Sequence, residues 1–195
     1  MKAMSATMSE NVSTWKRTSR ADRSWTKKSA NADAVFVYLN EEESARFLIE
    51  AKKQGLDKPL IGETTLLGQK VIDLAKDAAN GVRGHVGLTI DADIPLVKAF
   101  AAKFEEKFKY KSDHNGMKGY IAPYMLKAAV EKAGKWEPKA IAAALHGLTI
   151  SPAKEPGILI EATWDETGEI DRISFLAEVK GGKQVITKSL PKLKN

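Results

Sequence analysis

Two short polar clusters carry the chemistry this chain could do: Asn40-Glu41-Glu42 and Glu63-Thr64-Thr65. A carboxylate facing a cation in a partly dry crevice gains a charge-assisted hydrogen bond, and neighbouring amides and hydroxyls add neutral donors and acceptors. That is binding chemistry, and nothing in the chain extends it to catalysis. His85, His114 and His146 lie far apart in sequence with no carboxylate at metal-ligand spacing. Gly62 and Gly68-Gln69-Lys70 have the wrong spacing for a phosphate-cradling loop, with Gln where Lys is needed. Gly81, Gly84 and Gly87 do not form a dinucleotide fingerprint, no Ser or Thr stands in a nucleophile elbow, and cysteine is absent. The sequence predicts a non-enzyme without cofactor or metal.

The acids also have a plainer role. Glu41, Glu42 and Glu43 open a helix, where acids complement the helix dipole by about 0.3–1 kcal/mol each. That role suffices for Glu43 and leaves Asn40, Glu41 and Glu42 open to either reading. At Glu63-Thr64 a strand end needs no acid, which favours binding, although Thr64 and Thr65 would serve equally as helix N-caps.

The elements that position these clusters are legible. Ala34 to Leu39 is an apolar, β-branched and aromatic run, which predicts a strand buried on both faces. Ala45, Leu48 and Ile49 recur at helical spacing, with Lys52-Lys53 in the last turn and Gly55 beyond. Pro59 to Gly62 starts a second strand, and Gly68 to Ala79 a second helix that Asn80-Gly81 closes. This is a βαβ unit, whose binding groups sit just past the strand carboxyl ends. Val82 to Thr89 predicts a third strand, in which Gly84 and Gly87 mark the close approach of a ligand or another backbone. A helix capped by Asp91 or Asp93 follows, with Pro95 in its first turn. Tyr110 to Gly119 reads as a polar connection. Helices are expected over about 120–133, with Pro123 in the first turn, and over 138–145. A β-rich tail closes the chain, with Ile158 to Ile160, a turn over 164–168, Ser174 to Val179 and a Gly181-Gly182 hairpin.

Composition limits the partners. The 195 residues are 43% hydrophobic and 29% charged, ordinary for a globular chain. The net charge of +6 is uneven, because residues 1–31 hold seven Lys or Arg against Glu10 and Asp22. The remaining 164 residues are close to neutral, so no nucleic-acid partner is expected. Residues 1–31 show no period and no apolar stretch of signal-peptide type. They suit a basic arm for nucleic acid or an anionic membrane, or a disordered leader unrelated to the rest; the composition favours the leader.

Several stretches in succession carry a family likeness: DAVFVYLNEEESARFLIEAKKQG, KPLIGETTLLGQKVIDLAKDAANGVRGHVGLT, PLVKAFAAKFEEKFKYKSDHNGMKGYIAPYMLKAAVEKAG and TWDETGEIDRISFLAEVKGGKQV. Over about Ala32 to Pro191 the chain resembles the C-terminal half of a periplasmic binding protein of the type I fold. The nearest group is the branched-chain amino acid (Leu/Ile/Val) substrate-binding proteins of ABC transporters. The resemblance implies an α/β fold: a parallel βαβαβ second lobe at 32–111, helices and a strand returning toward a largely missing first lobe at 112–163, and a β-rich tail at 164–195.

The same resemblance implies a function and a site. In such proteins a solute is held in a cleft between two lobes, and the closed form is presented to an ABC permease in the inner membrane. The second lobe offers an acid to the ammonium of an amino acid, and the alignment puts Glu63 or Thr64 there. Asn40, Glu41, Glu42 and Thr65 face the same crevice, and Tyr120 is a weaker candidate from the returning segment. The expected ligand is an amino acid, branched-chain or related, and the chain is expected to be a truncated form lacking most of the first lobe. The alternative is a non-binding remnant or an α/β interaction or sensor module, which would self-associate through the apolar surface left uncovered. The family works in the periplasm; without an export signal the chain as written is expected in the cytoplasm.

Overall fold

The computed structural model describes residues 32–194, so the expectations for residues 1–31 lie outside the described residues. Three short strands, β1 (Val35–Val37), β2 (Leu60–Gly62) and β3 (Arg83–Val86), run parallel and side by side. Helix α1 (Glu41–Lys53) connects the first pair and α2 (Gln69–Ala75) the second. Two late strands, β7 (Ser174–Lys180) and β8 (Lys183–Leu190), complete the sheet in antiparallel sense, giving the order β1-β2-β3-β7-β8. Between β3 and β7 come α3 (Pro95–Phe108), α4 (His114–Ala133) and α5 (Pro138–Leu145). A small antiparallel sheet of β4 (Thr149–Ile150), β5 (Ala162–Trp164) and β6 (Ile170–Asp171) follows them. The chain has the expected α/β architecture with parallel βαβαβ connectivity at its start.

Apolar periodicity explains the two cores. Leu48 of α1 and Val71 and Ile72 of α2 pack on Val37, Val86, Ala177 and Val179 of the sheet, together with Leu66 and Leu67 from the β2–α2 turn. Each fully buried aliphatic side chain contributes roughly 1.5–3 kcal/mol. A second core joins Val97 and Phe100 of α3 to Met117 and Ile121 of α4, Ile150, Ile158 and Phe175. The β2–α2 turn descends close to the sheet because Gly62 and Gly84, partners across β2 and β3, present no Cβ.

Five local expectations differ from the structure. Strand β1 is buried on one face only, and Phe36 is 67% exposed. It lies at the sheet edge, where α1 and α2 cover only the Val35 and Val37 side. Helix α2 stops at Ala75, where Lys76 takes a positive φ of 50° and a single 3-10 turn follows. The residue before α3 is Ile94, with no side-chain cap from either Asp91 or Asp93. Most consequential, α4 starts at His114, because Asp113 accepts a hydrogen bond from Gly116 N at 2.8 Å. Pro123 therefore lies inside that helix. Ile158 to Ile160 is buried as expected of a core strand but forms no ladder. The Gly181-Gly182 hairpin is present, both glycines at positive φ (55° and 74°) as its turn requires.

Candidate functional site

The carboxyl ends of β1 and β2 and the first turn of α4 meet around a cavity of about 560 Å³. From the β1 end come Asn40, Glu41, Glu42 and Glu43. Asn40 is the N-cap residue of α1 by position, yet its side chain makes no capping bond. Thr65 and Lys70 enter from the β2–α2 segment. His114, Asn115 and Lys118 close the site from α4, one turn apart on a helix face. The cavity therefore holds carboxylates and ammonium groups together.

Lys70 Nζ lies 3.0 Å from Glu41 Oε2, and this hydrogen bond holds the Lys70 ammonium above its ordinary pKa. Glu42 has a long contact of 4.0 Å to Arg46, an exposed pair of little energetic weight. His114 is only 8% exposed. Burial, with Lys118 adding, pushes its imidazole below the usual 6.5, partly opposed by Asp113, Glu41 and Glu63. The imidazole thus stays neutral at the base of the cleft through the neutral range.

This has a measurable consequence. The unfolded chain binds a proton near pH 6.5 that the folded chain resists, so the unfolded state holds more protons between the two values. His114's contribution is full above the unfolded value and declines as pH falls through it toward the folded value. The melting temperature of the full chain should drop between about pH 7.5 and about pH 5.5, the range in which histidines titrate. His114→Gln should flatten that drop. An unchanged acid limb in the variant would assign the pH dependence to other groups.

Of the residues singled out in sequence, the structure brings Asn40, Glu41, Glu42 and Thr65 to this one cavity. Glu63 does not line it; its carboxylate accepts the Thr65 N–H at 3.0 Å and braces the turn. Thr64 accepts a hydrogen bond from Gly87 N at 3.3 Å, tying the ends of β2 and β3. It lines an adjoining groove of about 960 Å³ between α2, the β3–α3 turn, the start of α4 and the β7–β8 hairpin, with Lys70 and His114 common to both. Tyr120 packs at a tilt against Phe100 (ring centroids 4.9 Å) and Tyr124 (5.5 Å), and it does not line the cavity. Lys70, His114, Asn115 and Lys118 were not anticipated. The Ser112-Asp113 start signal, read as a helix cap, would have brought the last three to the site. Among the described residues no group of three or more His, Asp or Glu is placed to hold a metal ion.

Comparison with known proteins bears on the family and the fold. A family model described as periplasmic binding protein matches residues 27–184. A leucine-, isoleucine-, valine-, threonine-, and alanine-binding protein of Pseudomonas aeruginosa is 27% identical over 151 residues, covering 76% of this chain and 39% of its own length. Among solved structures, an R. palustris ABC-transporter solute-binding protein in complex with benzoate superposes with a TM-score of 0.67 at 23% identity, over 84% of this chain and 44% of that one. A leucine-binding protein of Thermotoga maritima gives 0.66 at 19% identity, over 83% and 45%. The chain spans less than half the length of each of these relatives. With a family match over most of its residues and the matching α/β architecture, the chain belongs to the periplasmic binding proteins, with the type I fold.

Proposed function

We propose that this chain is a non-enzymatic solute-binding component of an ABC importer and that it binds an amino-acid-like solute at the β1 and β2 carboxyl ends. The observation that carries the reading is the mixture of signs in one cavity: Glu41 and Glu42 beside Lys118 and the neutral donors Asn40 and Asn115. An α-amino acid carries an ammonium and a carboxylate on one carbon, and both groups find partners there. Each charge-assisted hydrogen bond is worth roughly 1.5–3 kcal/mol, and 1.4 kcal/mol is about tenfold in affinity. An aromatic carboxylate such as the benzoate of the R. palustris structure would need one cation and an apolar wall, and it would bring no cation to the acids. In this reading the solute site is presented to a membrane permease in the periplasm, as the family name implies. Among the described residues no helix is long and apolar enough to cross a membrane.

The test is calorimetric titration of the full chain with leucine, valine, threonine and alanine, and with benzoate. Saturable one-to-one binding of an amino acid, with benzoate inert, is the expected result. Heat from benzoate alone would transfer the reading to aromatic acids, and no heat from any amino acid would end it.

A further inference from the structure

One face of the five-stranded sheet is covered by α1 and α2; among the described residues the other is left exposed. Register places Phe36, Ile61, Arg83, Glu178 and Val185 in one row across all five strands, on the bare side. Ile61 and Val185 are each 40% exposed and Phe36 more so. In the next row His85 stands opposite Leu176, also exposed. Parallel strands are ordinarily covered on both faces, so an exposed row with apolar side chains flanking a central charged pair points to an interaction surface.

The row has an internal order: apolar on β2, cation on β3, anion on β7, apolar on β8. Arg83 Nε lies 3.4 Å from Glu178 Oε2, with Lys180 Nζ also 3.5 Å from that carboxylate. Read backwards, the order becomes apolar, anion, cation, apolar. A second copy turned about an axis parallel to the strands, between β3 and β7, sets Arg83 against Glu178, Glu178 against Arg83, and Ile61 against Val185. An axis across the strands sets Arg83 against Arg83. The permitted axis keeps the strands of the two sheets near alignment, the usual packing at about 30°. Self-complementarity of this kind is what a two-fold interface demands, residue i on j and j on i.

We propose that this bare sheet face binds a second copy of the chain, forming a two-fold dimer with reciprocal Arg83–Glu178 contacts at its centre. The proposal does not draw on solute binding, since the cleft lies at the strand ends and not on this face. Sedimentation of the full chain from micromolar to millimolar concentration tests it. Wild type is expected to dimerise, while Arg83→Glu and Glu178→Arg each sediment as monomers. Their equimolar mixture is expected to dimerise, because each acid of one variant then faces an arginine of the other. Loss of a merely structural pair would not be repaired by mixing two different chains. Ile61→Gln, which leaves the charged pair intact, should weaken association about tenfold or more, equivalent to roughly 1.4 kcal/mol. A wild type that stays monomeric throughout, dimers that survive both charge reversals, or a mixture that remains monomeric would each overturn the proposal.

Discussion

Gly84→Ala is expected to lower stability by roughly 3 kcal/mol, at the upper end of the cost of overpacking a core. A Cβ built on Gly84 would stand 2.5 Å from the carbonyl oxygen of Gly62 and 2.5 Å from Leu67 Cδ1. The Leu67 side chain is fully buried and has little room to turn. The Gly62 carbonyl belongs to the neighbouring strand, so relief requires β2 and β3 to separate in the middle of the sheet. Gly62 is under the same constraint, since a Cβ there would meet the Val37 carbonyl at 2.9 Å and the side chain of Leu66. Together the two glycines let the Leu66-Leu67 turn seat on the sheet, and the cavity's β2 wall starts from that turn. A loss of this size corresponds to a melting temperature roughly 6–12 °C lower for a chain of this length. Gly87→Ala is the control, because its nearest neighbour is the end of the Arg172 side chain at 3.3 Å, which can shift. It should change stability by less than about 0.5 kcal/mol, as surface changes do. Thermal and urea melts of both variants give the answer, and equal midpoints for Gly84→Ala and wild type would refute the packing account.

The glycine argument also marks how far the sequence could be read. Gly84 in a strand pattern signals close approach of another backbone, and the Gly62 carbonyl is that backbone. The β1-α1-β2 unit was legible because its signals agree: an apolar strand run, three acids in the first helical turn, two lysines in the last, and Gly55 at positive φ. The start of α4 was missed because Tyr110 to Gly119 is polar and holds two glycines, and composition outweighed one Asp cap. That single cap moves His114, Asn115 and Lys118 from a loop onto a helix face beside the β1 end, and a third of the cavity's lining residues goes with them. Burial on one face or two could not be read from β1 either. Val-Phe-Val suits both, and only the fold shows that α1 and α2 occupy a single side. Glu63 shows the same limit at the scale of one side chain. An acid at a strand end looks free in sequence, while in the fold it is committed to its own turn.

Glu41→Gln should separate the two roles that sequence leaves open at this position. If Glu41 only complements the α1 dipole, the variant loses a few tenths of a kcal/mol of stability and nothing else. Its pair with Lys70 is largely solvent-exposed on the lysine side and adds little to folding. If Glu41 holds the ammonium of a bound solute, the same substitution removes a charge-assisted acceptor from the cavity while retaining its shape. The amide's NH₂ group offers a donor where a donor is already present, and Lys70, freed from its partner, adds an uncompensated positive charge beside the ammonium. Loss of roughly 2.7 kcal/mol in binding, about a hundredfold, is the expected result, with the melting temperature almost unmoved. Glu43→Gln is the matched comparison. It lies in the same first turn and on the same cavity, so dipole chemistry alone would make the two variants alike. Titration of an amino acid into wild type and both variants distinguishes them. A strong deficit confined to Glu41→Gln places the ammonium at Glu41. Equal small deficits would return all three acids to the helix dipole, and the solute site would have to be sought elsewhere along the strand ends.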